Sequence, residues 1–172
     1  MDYKETLIYL YPDIDLSLGS QECALGCVGG VVSIMMWNID KLGPQPTEEQ
    51  LEAAWPAAQL QQAKTTQRAL IKSSFIAAST ANVTDSNGIV WEGGMQSGNS
   101  IFLGCQLAQQ AGQATITLYD ASKAPHSMTI AEGMGVAALI GTAYQEALAK
   151  KNTLYANIDA AKSVSEVQSV TW

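Results

Sequence analysis

Two prolines placed close together, Pro44 and Pro46, restrict the fold of this chain more than any other feature of its sequence. A proline pushes the residue before it into an extended conformation, and Pro46 is not expected inside a helix because it lacks the amide hydrogen that helices use. Residues 41–47 are therefore expected to form a linker. The sequence predicts a boundary there, between a first region of residues 1–46 and a second region of residues 47–172.

The first region contains short apolar or alternating runs at residues 7–11, 14–18 and 31–38, separated by turn-forming residues. Such runs are typical of short strands, and they predict a small antiparallel β meander that docks onto a partner. Between the second and third runs, residues 19–30 are rich in glycine and include two cysteines. This composition predicts a loop, whose role the sequence leaves open.

The second region begins its helices with a recurrent capping signal. A Thr or Ser followed three residues later by Glu or Gln forms a capping box, and this spacing occurs at Thr47, Thr129 and Ser163. The first box predicts a short helix that Pro56 interrupts, followed by a longer helix to about residue 80. The second predicts a helix that ends near Ile158, and the third a last short helix.

Two hairpins are expected between these helices. Asn87-Gly88 lies between apolar runs, which is a strong hairpin signal. Residues 99–111 predict a helix that stops at a glycine, and a second hairpin follows over residues 115–130. The predicted fold class is therefore α+β, with the N-terminal meander followed by helices interleaved with two β-hairpins.

A stripe with a spacing of three and four residues runs along the helix after Pro56. It is narrow and partly polar, and it covers three heptads, the minimum for a coiled coil. Packing against the same chain explains it, and so does a short self-associating stalk. The candidate packing or subunit-interface positions are Leu60, Gln67 and Leu70, in a stripe that also contains Ala63, Ser74, Ala77 and Ala81.

A second stripe of small residues, Gly133, Ala137 and Gly141, is predicted on one face of the long C-terminal helix. Each glycine costs about 1 kcal/mol of helix propensity, and close approach of another backbone is the usual compensation. The neighbour is either another helix of this chain or another subunit. The string from Gly133 to Ala138 also matches a dinucleotide-binding pattern, but the βαβ unit that this function requires is not indicated.

Catalytic and metal-binding residues are scarce. His126 is the single histidine, and Cys23, Cys27 and Cys105 do not have the spacing of a structural zinc site. His126 is expected in a turn, bonded to nearby backbone, and the cysteines are expected to be small buried residues. The sequence therefore predicts no enzymatic activity, no cofactor and no metal.

The composition narrows the class of partner. The chain is 47% hydrophobic and 15% charged with a net charge of −7, which excludes a disordered chain and makes nucleic acid an unexpected partner. No apolar run is long enough for a membrane-spanning helix, and the charged start of the chain does not resemble a secretory signal. A low charged fraction favours burial in an assembly, and we expect a homo-oligomer.

A family resemblance also indicates a protein that is part of an assembly. Residues 45–55 and the preceding Trp37-Asn-Ile-Asp resemble the front of small tail-associated proteins of bacteriophages and prophages. The second region, with Asn87-Gly88, residues 115–120 and Val170-Thr-Trp172, is similar to an uncharacterised C-terminal domain of phage tail and tail-fibre-associated proteins. The resemblance covers residues 31–172 and implies no catalytic residues.

The resemblance implies a structural virion protein at the baseplate or at the tail-fibre attachment point, which binds tail-fibre or baseplate proteins. Such a chain would fold in the host cytoplasm and reside in the tail of the virion. The alternative is an intracellular assembly chaperone for the tail fibre, which leaves before the virion is complete.

Overall fold

The computed structural model describes all 172 residues, except for the side chain of Val28. Six helices and six strands follow one another along the chain. In order, they are α1 (Tyr3–Leu10), β1 (Cys23–Val28), β2 (Val31–Trp37), α2 (Ile39–Leu42), α3 (Glu48–Ser79), β3 (Val83–Thr84), β4 (Val90–Trp91), α4 (Met95–Gln110), β5 (Thr115–Tyr119), β6 (Pro125–Thr129), α5 (Ile130–Ala160) and α6 (Val164–Ser169).

The strands form three separate two-stranded antiparallel sheets, β1 with β2, β3 with β4 and β5 with β6. The predicted α+β class is confirmed, as are the two hairpins of the second region. Of the three predicted capping boxes, those at Thr47 and Thr129 are present, while at Ser163 the Glu166 carboxylate accepts from the amide of Lys162 instead. The hydroxyl of Thr47 accepts a hydrogen bond from the amide of Gln50 while the Gln50 side chain accepts one from the amide of Thr47, and Thr129 and Glu132 repeat this arrangement.

The first apolar run of the chain is helical, so the three-stranded meander is corrected to a helix and one hairpin. The side chain of Asp2 accepts a hydrogen bond from the amide of Glu5 and caps α1. Within α1, Thr6 and Leu7 are buried while the next three apolar residues are exposed. A continuous apolar run therefore does not imply a strand when one helical face is enough to bury it.

The segment predicted as a glycine-rich loop is strand β1 and the turn that follows it. Gly29 and Gly30 have φ angles of 60° and 83°, values that glycine adopts readily, and they form the two-residue connection to β2. Gly26 lies inside β1, where an added Cβ would lie 2.4 Å from Cγ of Met35. Glycine is present in this strand because Met35 packs across it.

Helix α3 continues through Pro56, so the predicted interruption is wrong. Proline removes the amide that would bond to the carbonyl of Glu52, but the rest of a 32-residue helix supports the turn around it. The buried residues of α3 include Leu51, Ala58 and Ile71.

Contacts along the chain define two compact units. Unit 1 comprises residues 1–67 and 158–170, and unit 2 comprises residues 68–157 and 171–172, so that α3 and α5 contribute to both. The domain boundary expected after residue 46 stays a prediction.

The core of unit 1 is formed by Leu7, Cys23 and Leu51. Leu25 of β1 and Ile34 of β2 pack against it, so one face of the hairpin is directed inward. The last part of the chain is joined to α3 in this unit, because the Lys64 ammonium donates to the carbonyl of Asp159 at 2.8 Å.

The core of unit 2 consists of Trp91, Leu118, Val136 and Ile140. These residues come from β4, β5 and α5, and Ile101 of α4 packs against them. The amide of Ala121 donates to the carbonyl of Val90 at 2.8 Å, which links the β5–β6 turn to the β3–β4 hairpin.

Candidate interaction surfaces

The outer face of β2 presents three exposed apolar side chains, Val31, Met35 and Met36, which we call the hairpin surface, while Val32 pairs with Cys27 on the opposite face. Val31 and Met35 are 67% and 62% exposed. An irregularity in the pairing opposite Ala24 and Leu25 allows Met35 and Met36 to be exposed in succession. The hairpin surface is therefore wider than strict alternation along a strand would permit.

The strands of this hairpin carry no charged residue, since none occurs between Glu22 and Asp40. Within the part of the chain that the structure describes, no third strand pairs with β1 or β2. Soluble proteins usually protect such edges with charged side chains, prolines or a covering element. Unprotected edges beside exposed apolar residues are the features expected of a strand-pairing surface.

A second exposed apolar group lies on α4 in unit 2. Phe102, Leu103 and Leu107 are 46%, 55% and 57% exposed, and we call them the α4 face. The opposite side of the helix is buried, and an added Cβ at Gly98 would lie 3.2 Å from Cγ2 of Ile140. Close packing of α4 on α5 thus fixes the outward direction of the α4 face.

The predicted stripe of small residues on α5 has mixed surroundings. An added Cβ at Gly133 would lie 2.7 Å from Sγ of Cys105, so the Cys105 side chain packs closely over this glycine. Ala137 is buried as well. At Gly141 an added Cβ would meet no heavy atom within 4 Å beyond the backbone of its own helical turn. A subunit contact at Gly141 stays a prediction.

The predicted positions on α3 also differ from one another. Leu60 is half-buried, and the side-chain amide of Gln67 donates to the carbonyl of Val170 at 2.6 Å. Leu70 is 56% exposed. Gln67 therefore serves the packing of unit 1, while Leu70 retains surface for a subunit contact, which stays a prediction.

Two aspartates organise the hairpins of unit 2, and the sequence analysis did not identify either role. Asp85 accepts hydrogen bonds from the indole of Trp91 at 2.9 Å and from the amides of Asn87 and Ile89. The bond from Trp91 is the largest of the effects that lower the pKa of Asp85. An aspartate two residues before Asn-Gly was the available signal, because Asp side chains commonly bond to turn amides.

Asp120 has the same role in the β5–β6 turn. It accepts bonds from the amides of Ser122 and Ala124, and its other oxygen lies 2.9 Å from Nε2 of His126. The bond with His126 is the main reason that the pKa of Asp120 lies well below its ordinary value. His126 was expected to bond to backbone, and its partner is instead this carboxylate.

An open cleft of about 720 Å³ lies beside these turns and is lined by residues that include Asp85, His126, Met128 and Glu132. Its carboxylates already accept hydrogen bonds that form turns or the start of α5. The carboxylates that line this cleft therefore stabilise the hairpins and the start of α5.

The three cysteines are free thiols. Cys23 and Cys105 are buried as expected, and burial raises the pKa of both, whereas Cys27 is exposed. Among the described residues, no group of three His, Cys, Asp or Glu side chains could hold a metal ion. No helix in the described part of the chain has the length and apolar character to cross a membrane.

The fold and these surfaces define an α+β protein with uncharged apolar faces suited to protein–protein contact. A family described as XkdW protein matches residues 3–63, about a third of the chain. This match supports a phage or prophage origin, and the matched segment includes the hairpin surface. Neither the curated proteins nor the solved structures contain a match.

Proposed function

We propose that this chain is a structural component of a phage tail, located at the baseplate or where the tail fibre attaches. It acts through protein–protein contacts and contributes no catalytic residue or cofactor. The observation that carries the proposal is the hairpin surface, which is apolar, uncharged and contained in the segment similar to XkdW protein. The similarity to a phage-associated family supports a phage particle as the assembly in which this surface is covered.

The partner proposed for the hairpin surface is an extended strand of a neighbouring tail protein. A strand added beside β2 would bond to its free peptide groups and extend the face that carries Met35 and Met36. Because residues 23–37 carry no charge, recognition would depend on backbone hydrogen bonds and apolar side chains. The partner strand is therefore expected to be apolar and largely uncharged as well.

Quantitative mass spectrometry of purified phage particles tests this function. The expected result is a constant ratio of this chain to the major tail proteins in independent preparations. Absence from particles, together with co-purification with tail-fibre protein from infected-cell lysate, would contradict it and indicate an assembly chaperone. A chain found in neither fraction would also contradict the structural role.

A further inference from the structure

We propose that a second copy of this chain is the partner of the α4 face, and that two copies form a two-fold dimer through antiparallel packing of their α4 helices. This inference is independent of the hairpin surface and of the proposed place in the tail. Three observations carry it: the order of side chains along α4, the charge of unit 2 and the packing of α4 on α5.

The side chains along α4 are arranged so that two copies of the helix complement each other. Ser100, Leu103, Leu107 and Gln110 are exposed and spaced by three, four and three residues, so they lie in one stripe. The stripe has the order polar, leucine, leucine, polar in either direction. A two-fold axis between the leucines places Leu103 of one copy against Leu107 of the other, and Ser100 against Gln110.

The charge of unit 2 does not oppose a second copy at this helix. The sequence contains no Asp, Glu, Lys or Arg between Glu92 and Asp120, so the whole of α4 is uncharged. Unit 2 carries five acidic and five basic residues and is neutral. Two copies of unit 2 can therefore approach each other without net repulsion, and nothing on α4 would select a charged partner.

The packing of α4 makes its outer face a stable platform. Gly98 lies against Ile140, and Cys105 lies against Gly133, so α4 is in close contact with α5 near the start and at the middle of the stripe. A helix of 16 residues is about 24 Å long, which is enough to align the four stripe positions of two copies. Phe102 borders the stripe and widens the apolar area.

The test is sedimentation equilibrium of the full chain across micromolar concentrations. The wild type is expected to show a reversible monomer–dimer equilibrium. Leu103→Glu and Leu107→Lys should each raise the dimer dissociation constant at least about 30-fold, because each places a charge at the apolar centre. Gln109→Glu is the matched control, since Gln109 is exposed on α4 but lies away from the stripe, and it should leave the dissociation constant unchanged.

A mixture of the two variants tests the antiparallel register. In a mixed dimer, the L103E copy and the L107K copy bring opposite charges together at one pair and retain two leucines at the other. The mixture should therefore associate more tightly than either variant alone. Unchanged circular dichroism and melting show that the variants are folded, as expected for substitutions at exposed positions.

A wild type that remains monomeric throughout this range would overturn the proposal. So would L103E that dimerises as tightly as the wild type, or a mixture that associates no better than its components. Val31→Lys, on the hairpin surface, should leave the dimer intact. A dimer that is lost in this variant while it persists in L103E would assign self-association to the hairpin and contradict the α4 interface.

Discussion

Unit 1 and unit 2 divide the charge of the chain unequally. Unit 1 has eleven acidic and four basic residues and carries the whole net charge of −7, whereas unit 2 has five of each. In unit 1 the hairpin surface is an uncharged area on a strongly acidic body. In unit 2 the α4 face belongs to a neutral one. Unit 1 therefore combines a high net charge with one uncharged area, whereas unit 2 has no net charge.

The difference bears on the kind of partner. Net charge of one sign opposes self-association, so an acidic unit is better suited to a different protein than to a copy of itself. A neutral unit with an uncharged helix has no such opposition. This difference supports the proposals of a different protein as partner of the hairpin surface and a second copy as partner of the α4 face.

The largest expected effect concerns the stability of unit 2. An added Cβ at Gly93 would lie 1.8 Å from the carbonyl oxygen of Ala81. Because this oxygen belongs to the backbone, it cannot move aside as a flexible side chain could. Gly93→Ala should lower the free energy of unfolding of unit 2 by about 3 kcal/mol. Amide hydrogen exchange should show faster exchange in β5 and β6 than in the wild type, with little change in β1 and β2.

Gly135→Ala is the control, because space is open around an added Cβ at that position of α5. Equal loss of protection in the β1–β2 hairpin would show that the two units unfold together. A loss of stability below about 1 kcal/mol would contradict the close approach at Gly93.

The next largest effect is a difference in stability between alanine substitutions at two glycines of α5. Gly133→Ala should destabilise unit 2 by about 1–3 kcal/mol, because the added methyl group meets Sγ of Cys105. Gly141→Ala should instead stabilise it by up to about 1 kcal/mol, through helix propensity. Denaturant unfolding of both variants measures whether each substitution raises or lowers the free energy of unfolding. A loss of stability in Gly141→Ala would show that another chain covers this position, as the subunit-contact hypothesis requires.

The smallest effect is a pH dependence in the β5–β6 turn. The folded-state pKa of Asp120 lies below its ordinary value of 3.8, chiefly because of the bond with His126. The stability that the carboxylate contributes is therefore complete above about pH 5 and is lost as the pH falls toward the folded-state pKa. Asp120→Asn should melt below the wild type at neutral pH, and the difference should narrow near pH 2.

Asp13→Asn, at an exposed aspartate of unit 1, is the control and should show a smaller difference at neutral pH. A gap between wild type and Asp120→Asn that stays constant from neutral to acid pH would contradict the role of the charged carboxylate.

Local signals predicted much of this fold. The capping boxes at Thr47 and Thr129 and the hairpin at Asn87-Gly88 depend on residues a few positions apart, so the sequence displays them directly. The helical state of α1 and the strand state of β1 were missed. Both depend on burial against Leu51, which is distant in the sequence, and on Met35 packing across Gly26.

The candidate surfaces were predicted less well for a similar reason. Gly133 was identified because glycine within a helix is conspicuous, and the side chain of Cys105 packs closely over it. The α4 face was not identified, since Phe102, Leu103 and Leu107 have the composition of a buried stripe. They are exposed because the other side of α4 packs on Ile140, and the local sequence does not indicate which side of the helix makes this contact.

The central claim is that the uncharged hairpin surface attaches this chain to the phage tail. The most direct measurement is the ratio of this chain to the major tail proteins, by quantitative mass spectrometry, in particles assembled with wild type, Val31→Lys or Gln59→Lys. The variants add the same charge at exposed positions, one on the hairpin surface and the other on α3. We expect wild-type incorporation with Gln59→Lys and a strong loss with Val31→Lys. Equal incorporation of the two variants would contradict the claim.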